Sequence, residues 1–172
     1  MRLRWPGVND DGTVLIELSA ESFCLATRDI EVLGEIFTPK DELHVTLISG
    51  EIGLCFQEKI KQDKTIDSLL AKTFEEIDWS FGQAGPVHIL SSAKKNIIQQ
   101  SIIMLVEMPG VTEFYDQLKA LGLIEMTTPV PPAHVTMYTH NCPLGIGVPN
   151  QKILNVLTRK KISVNALNKL AE

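Results

Sequence analysis

The chain has 172 residues, the length of one domain, and its hydrophobic (44%) and charged (22%) fractions are those of a globular protein. This composition excludes a disordered tail, a collagen-like fibre and a disulfide scaffold. The net charge of −5 argues against a protein that coats long duplex nucleic acid by bulk electrostatics, but allows a nucleotide or an RNA end in a local basic pocket.

The compartment is predicted from targeting signals and cysteines. No apolar run approaches the ~20 residues that cross a bilayer, and the first residues lack the apolar stretch of a secretory signal. Cys24, Cys55 and Cys142 lie far apart and form no CxxC pair, so we predict reduced thiols. Together these features predict one cytoplasmic domain over residues 1–172, with no membrane contact; they leave the oligomeric state open.

The first elements are predicted from hydrophobic periodicity. Thr13–Leu18 alternates and is rich in branched residues, which favours a strand. A helix is predicted from Ser19 to about Leu33, ended by Gly34. A strand over Ser22–Thr27 is the rival prediction. The helix would place these apolar residues on one face: Phe23, Ala26, Ile30 and Leu33.

The middle of the chain combines strands with a long helical segment. After a loop containing Pro39, a strand is predicted at about Leu43–Ser49. Phe56–Ile77 has helical composition with regularly spaced apolar anchors. Two strands are then predicted at Trp79–Gln83 and Val87–Ser92, separated by Ala-Gly-Pro and followed by a polar loop up to Asn96.

The last third begins with the most apolar segment. Ser101–Glu107 predicts a strand in the centre of its sheet, and Val111–Leu121 predicts an amphipathic helix. A proline-rich approach leads to a strand at Ala133–Thr139. A glycine-containing loop, a further element at Ile153–Leu157 and a helix at Val164–Leu170 follow.

One order of elements occurs twice: a strand, a helix that ends in glycine, a loop with proline, and a strand that begins with histidine. The first copy runs from Thr13 to His44, 31 residues (44 − 13), and the second from Ser101 to His134, 33 residues (134 − 101). The repetition predicts an α+β protein with two duplicated βαβ-like lobes, about 13–50 and 99–140, related by a pseudo-twofold axis.

Both histidine strands begin with His-Val-Thr. Because side chains alternate along a strand, His44 and Thr46 share one face, and His134, Thr136 and Tyr138 share the corresponding face of the other strand. The intervening hydrophobic residues point to a core. Under the predicted symmetry, the two His/Thr pairs face each other across a groove.

This pairing suits in-line attack at phosphorus. An imidazole titrates near pH 6.5, so one ring can accept a proton from water while a protonated ring donates to the leaving oxygen. Threonine hydroxyls can donate hydrogen bonds to the non-bridging phosphate oxygens. A single H-x-T on a strand is commonplace. Here two of only four histidines occupy identical tripeptides at matching points of a duplicated pattern, which favours the catalytic interpretation.

The paired motifs His44-Val-Thr46-Leu and His134-Val-Thr136-Met, 90 residues apart (134 − 44), resemble the signature of the 2H phosphoesterase superfamily, also called the LigT-like or 2′-5′ RNA ligase family. The resemblance extends from about Thr13 to Thr139. It implies a bilobal fold with antiparallel sheets around a central cleft. It also implies hydrolysis of 2′,3′-cyclic phosphates or related phosphodiesters of RNA 3′ ends and nucleotides, with no metal and no cofactor.

The resemblance also implies residue roles. His44 and His134 would be the acid/base pair, and Thr46 and Thr136 the phosphate ligands. Many members of the LigT subgroup have an arginine shortly after the second motif, whereas this chain has Met-Tyr-Thr, so Tyr138 is predicted to bind substrate instead. Two alternatives stay open: a phosphodiesterase for cyclic oligonucleotides or a 3′-terminal RNA linkage, and a nucleotide-binding module without turnover.

Several weaker signals receive structural interpretations. His88 lies in an apolar strand and is predicted to be a packed structural residue, and Trp79 either packs in the core or stacks on a base. The basic cluster Arg159–Lys161 is predicted to be a solvated face. The spacing of His134, His140 and Cys142 matches no zinc pattern.

Overall fold

The computed structural model describes residues 1–23 and 28–170, which form an α+β protein. The strands are β1 (Val14–Leu18), β2 (Ile30–Val32), β3 (Glu35–Pro39), β4 (Leu43–Ile48), β5 (Gly82–Lys94), β6 (Ile97–Glu107), β7 (His134–His140) and β8 (Thr158–Ile162). The helices are α1 (Gly50–Gln62), α2 (Thr65–Glu76), α3 (Pro109–Ala120), α4 (Gln151–Leu157) and α5 (Val164–Leu170).

The strands form one large antiparallel sheet in the order β1-β4-β7-β6-β5-β8. The hairpin of β2 and β3 lies off this path and joins it through β3, which pairs with the end of β7. The α+β prediction is therefore confirmed. The predicted pair of sheets is instead one continuous sheet, because the two histidine strands β4 and β7 are direct neighbours.

The predicted helix from Ser19 to Leu33 is wrong in the described residues. Ala20–Ser22 forms one 3₁₀ turn, and β2 and β3 form a hairpin. Leu33 and Gly34 both adopt positive φ, 55° and 81°, as a two-residue hairpin turn with right-handed strand twist requires. Ile30 and Val32 are buried on either side of an exposed Glu31, so the period is two rather than 3.6. Residues 24–27, with Cys24, Ala26 and most of the rival strand, lie outside the described residues.

The predicted long helix Phe56–Ile77 is two helices, α1 and α2. Asp63 leaves the helical conformation at φ −143° and ψ 103°, and its carboxylate accepts bonds from the backbone N–H of Thr65 (2.9 Å) and the Thr65 hydroxyl (2.7 Å). A short polar side chain that bonds to the backbone two residues ahead favours a turn over a continuous helix. The prediction of helical structure was therefore correct, but the break at Asp63 was not predicted.

The predicted strand Val87–Ser92 is confirmed as part of one long strand, β5, whose pairing with β6 becomes irregular between Gln83 and Val87. The predicted strand Trp79–Gln83 is wrong over its first three residues, because β5 begins at Gly82. Lys95 and Asn96 form the turn to β6 with positive φ. The prediction that Ser101–Glu107 is a central strand is confirmed, since β6 lies between β5 and β7. The predicted helices at Val111–Leu121 and Val164–Leu170 are confirmed as α3 and α5.

The sheet has a large core on one face and a smaller one on the other. Phe56, Phe74 and Phe114 of the first three helices pack in the large core with inward residues of the sheet. The smaller cluster contains Ile103 of β6 and Leu154 of α4. Burial of such side chains contributes about 1.5–3 kcal/mol each. Trp79 is fully buried in the large core, which confirms core packing over base stacking.

Candidate active site

The two His-Val-Thr tripeptides meet at the join between β4 and β7. Val45 is paired with Val135 in antiparallel register, so the central residues of the two motifs lie opposite each other. Continuing this register by one residue in each direction places His44 opposite Thr136, and Thr46 opposite His134. The motifs are therefore related by a local twofold axis at the valine pair.

All four polar side chains face the same side of the sheet. Both valines are buried in the large core, so the residues flanking them point to the opposite face. On that face His44, Thr46, His134 and Thr136 line one cavity of about 440 Å³. A cavity of this size is in the range of small-molecule sites. The structure thus brings together the four residues that the sequence proposed as acid/base pair and phosphate ligands.

His134 is buried and its ring orientation is fixed. Nδ1 lies 2.8 Å from the Pro132 carbonyl oxygen, which can only accept, so Nδ1 carries a proton. In the neutral ring Nε2 therefore has the free lone pair. Burial lowers the pKa of His134; the Pro132 carbonyl opposes this, and His44 adds to it. Both rings line the same cavity, which is why a charge on His44 affects the pKa of His134.

His44 has a more open environment. It is half-buried, and partial burial lowers its pKa, with a further lowering by Lys40 and opposition from Glu42 and Glu17. Glu17 is the cross-strand partner of His44 on β1. In the described part of the chain, no hydrogen bond from protein fixes the His44 ring. Lys40 donates to the Pro143 carbonyl at 2.9 Å, which holds a cation near this end of the cavity.

The loop after β7 approaches Thr136 closely. Gly145 has a φ of +84°, and a Cβ placed on it would lie 3.1 Å from Oγ1 and from Cγ2 of Thr136. Ile146 is held nearby by a bond from its N–H to the Ser101 hydroxyl at 3.0 Å. Gly145 thus supplies both a left-handed turn and the space for the Thr136 side chain, and Ile146 and Gly147 line the cavity.

The predicted substrate-binding role of Tyr138 is contradicted by the structure. The pairing of β6 with β7 shifts register at this point: Ile103 pairs with Thr136, but Ile102 pairs with Tyr138. Met137 is therefore an additional residue on β7 that has no partner position on β6. This β-bulge reverses the alternation. Tyr138 is therefore 1% exposed in the large core, on the face opposite the cavity.

The cavity walls come from segments that sequence reasoning missed. Glu51 and Ile52 begin α1 directly after β4, and residues 125–131 precede β7. In the sequence, only their position next to a motif strand indicated that these segments could line the cavity. The remaining wall residues are Ser49, Tyr115, Leu144, Val148 and Pro149. Tyr115 is committed to structure: its hydroxyl donates to the Leu47 carbonyl at 3.1 Å, and burial raises the pKa of Tyr115 to about 12.

The other singled-out residues lie elsewhere. His88 is buried with Nδ1 3.1 Å from the Thr158 hydroxyl, which confirms a structural role. His140 contacts the Ile36 carbonyl at 2.8 Å and Glu35, outside the cavity. The Cys142 thiol donates a hydrogen bond to the Gly145 carbonyl oxygen. Arg159–Lys161 lie exposed on edge strand β8, which the sequence did not predict. Within residues 1–23 and 28–170, no group of three histidine, cysteine or acidic side chains is placed to hold a metal ion.

No protein-family model, curated protein or solved structure matches the chain. Over the described ranges, none of the helices has the length and apolar character needed to span a bilayer.

Proposed function

We propose that the chain is a 2H-type phosphodiesterase that hydrolyses a 2′,3′-cyclic phosphate or a related nucleotide or RNA-end phosphodiester. The pairing of Val45 with Val135 carries the proposal, because it sets two imidazoles and two hydroxyls diagonally around one cavity floor. A phosphate centred on this floor has an imidazole on each side, as in-line displacement requires. The one-sheet arrangement, with a motif strand from each predicted lobe at its centre, is compatible with the bilobal 2H fold.

The proposed reaction balances without a further reactant. Water attacks phosphorus and gives a proton to the neutral imidazole, while the protonated imidazole gives its proton to the leaving ribose oxygen. One P–O bond forms and one breaks, so the cyclic diester becomes a monoester. The threonine hydroxyls donate to the non-bridging oxygens as negative charge accumulates. Lys40 contributes positive charge near the His44 end of the cavity.

The environments of the rings support distinct roles. His134 is the base, because burial favours its neutral form and the Pro132 carbonyl leaves Nε2 as the acceptor. His44 is the acid, because it is less buried than His134 and because Glu42 and Glu17 favour its protonated form against the opposing effects of burial and Lys40. Burial lowers the pKa of both rings in the free protein. A bound phosphate anion reverses part of this effect, because a nearby negative charge favours imidazolium.

The test is hydrolysis of 2′,3′-cyclic AMP in the presence of EDTA. We expect turnover that His44→Ala and His134→Ala each reduce by about 10²-fold or more. His140→Gln is the matched control, since His140 lies outside the cavity. No turnover by the wild type, or turnover at the wild-type rate in either alanine variant, would overturn the proposal. Nucleotide binding without product would favour a nucleotide-binding module.

A further inference from the structure

The cavity has an uneven distribution of charge. Its floor holds the two imidazoles and two hydroxyls, with the Lys40 ammonium near His44. Its walls hold two carboxylates, Glu51 and Glu125, and among the described residues no lysine or arginine lines it. One anionic group can therefore be stabilised on the floor, whereas a second anionic group would meet acidic walls.

We infer that the substrate carries a single phosphate, and that Glu51 and Glu125 select against a ligand with a second one; this inference rests on the proposed function. The substrate class is a nucleoside 2′,3′-cyclic phosphate with a free 5′-hydroxyl. A 5′-phosphorylated nucleotide is disfavoured. An RNA 3′ end is disfavoured for the same reason, because each upstream nucleotide adds a phosphate.

The physical basis is repulsion between like charges in a confined space. A second phosphate that enters the cavity loses hydration and gains no cation from the walls, so its desolvation is not compensated. Glu51 lies in the first turn of α1 and Glu125 in the segment before β7, so the carboxylates act from two separate elements. Both are exposed, so salt weakens their effect.

The rest of the wall suits a neutral nucleoside. Ile52, Pro129, Pro131 and Val148 contribute apolar surface, and Leu144, 90% exposed, stands at the rim. Such surface can cover a base and a ribose ring, while the wall carboxylates can accept hydrogen bonds from hydroxyl or amino groups. The cavity of about 440 Å³ is at the small end of the range for ligand sites.

The test compares two substrates that differ by one phosphate: adenosine 2′,3′-cyclic phosphate with a 5′-hydroxyl, and the same nucleotide with a 5′-phosphate. We expect the wild type to prefer the 5′-hydroxyl form by about tenfold in kcat/KM, equivalent to about 1.4 kcal/mol. We expect Glu51→Gln/Glu125→Gln to reduce this ratio toward one. Raising the salt concentration should also reduce it in the wild type.

The control is Glu31→Gln, an exposed acidic residue on β2 outside the cavity, which should keep the wild-type ratio. Equal kcat/KM for both substrates, or an unchanged ratio in the double variant, would overturn the inference while the proposed function stands. Faster cleavage of a cyclic-phosphate-ended RNA than of the mononucleotide would also overturn it.

Binding distinguishes failure of the inference from failure of the proposed function. If neither substrate is hydrolysed, the proposed function fails, and calorimetry with adenosine 3′-monophosphate and adenosine 3′,5′-bisphosphate then tests the selectivity alone. Tighter binding of the monophosphate by the wild type, with a smaller difference in the double variant, would support the inference. Equal affinities or tighter binding of the bisphosphate would overturn it.

Discussion

The two histidine strands carry the same tripeptide in different surroundings. On β7, His134 is buried and its Nδ1 is held by the Pro132 carbonyl. On β4, His44 is half-buried and faces carboxylates as well as Lys40. The neighbouring strands also differ in charge. Glu17 on β1 is the cross-strand partner of His44, whereas the apolar Leu105 on β6 is the partner of His134.

This comparison shows how a symmetric floor can support an asymmetric reaction. The two motif strands place two imidazoles around one cavity floor. Burial favours the neutral form of both rings, more strongly for His134, and only His44 has carboxylates, Glu42 and Glu17, that oppose this effect. General acid–base catalysis at one phosphorus needs this division, because two identical rings would compete for one state. If the two histidines differ as proposed, substitution of each should have a distinct effect.

The largest expected effect is a difference between the pH profiles of the two histidine variants. Each alanine variant should lose about 10²-fold or more in kcat/KM. The acid limb of the profile reports the base, so it should disappear in His134→Ala. The alkaline limb reports the acid and should disappear in His44→Ala. Loss of the same limb in both variants would contradict the assignment of roles.

The threonine hydroxyls should have the next largest effect. Thr46→Val and Thr136→Val remove one hydrogen bond each to a charged phosphate, worth about 1.5–3 kcal/mol, or roughly 10–100-fold in kcat/KM. Thr38→Val, on exposed surface of β3, is the matched control and should stay near wild type. Steady-state kinetics at one pH suffices. A loss in Thr38→Val as large as in the site variants would contradict the prediction.

Gly145→Ala should lower activity through Thr136, and Gly122→Ala is its control. Both glycines have positive φ, so alanine should cost each about 1–2 kcal/mol of stability. Only at Gly145 does the new Cβ meet Thr136, at 3.1 Å; at Gly122 no atom lies within 4 Å. Thermal unfolding should therefore detect both substitutions, and kcat/KM only the first. Equal activity of the two variants would contradict the positioning of Thr136 by the loop.

The pH dependence of stability should distinguish the buried ring from exposed ones. Burial lowers the pKa of His134 in the folded state from 6.5, so the unfolded chain binds its proton more readily. Its contribution to stability is complete above about pH 6.5 and is lost as the pH falls through the lowered value. His134→Gln should flatten the decrease of Tm below that pH. An unchanged slope in His134→Gln, or the same flattening in His140→Gln, would contradict it.

Glu17→Gln should have the smallest effect. Its carboxylate favours protonated His44, so its removal lowers the pKa of His44 further and moves the alkaline limb of kcat/KM to lower pH. The shift is small because Glu17 is exposed and screened by solvent. A pH–rate profile at low salt measures it. Movement of the limb to higher pH would contradict the assignment of His44 as the acid.

Local pattern predicted which face the motif side chains occupy better than it predicted the secondary structure around them. Alternation correctly placed both motif residues of each strand, because the side chains of adjacent strand positions point to opposite faces. Tyr138 was misplaced by a bulge that depends on register with β6, and such register is set by pairing between distant segments. Likewise Ile30 and Val32 fit a helical period as well as an alternating one, and the hairpin partner decides between them.

The central claim is that His44 and His134 share one anion site, and NMR titration of the histidine rings tests it most directly. Addition of inorganic phosphate to the whole chain should shift the ring signals of His44 and His134 together, with one common Kd and a raised pKa for both. The signals of His88 and His140, which lie outside the cavity, should stay in place. Independent responses of the two rings, or no response in one of them, would contradict the account.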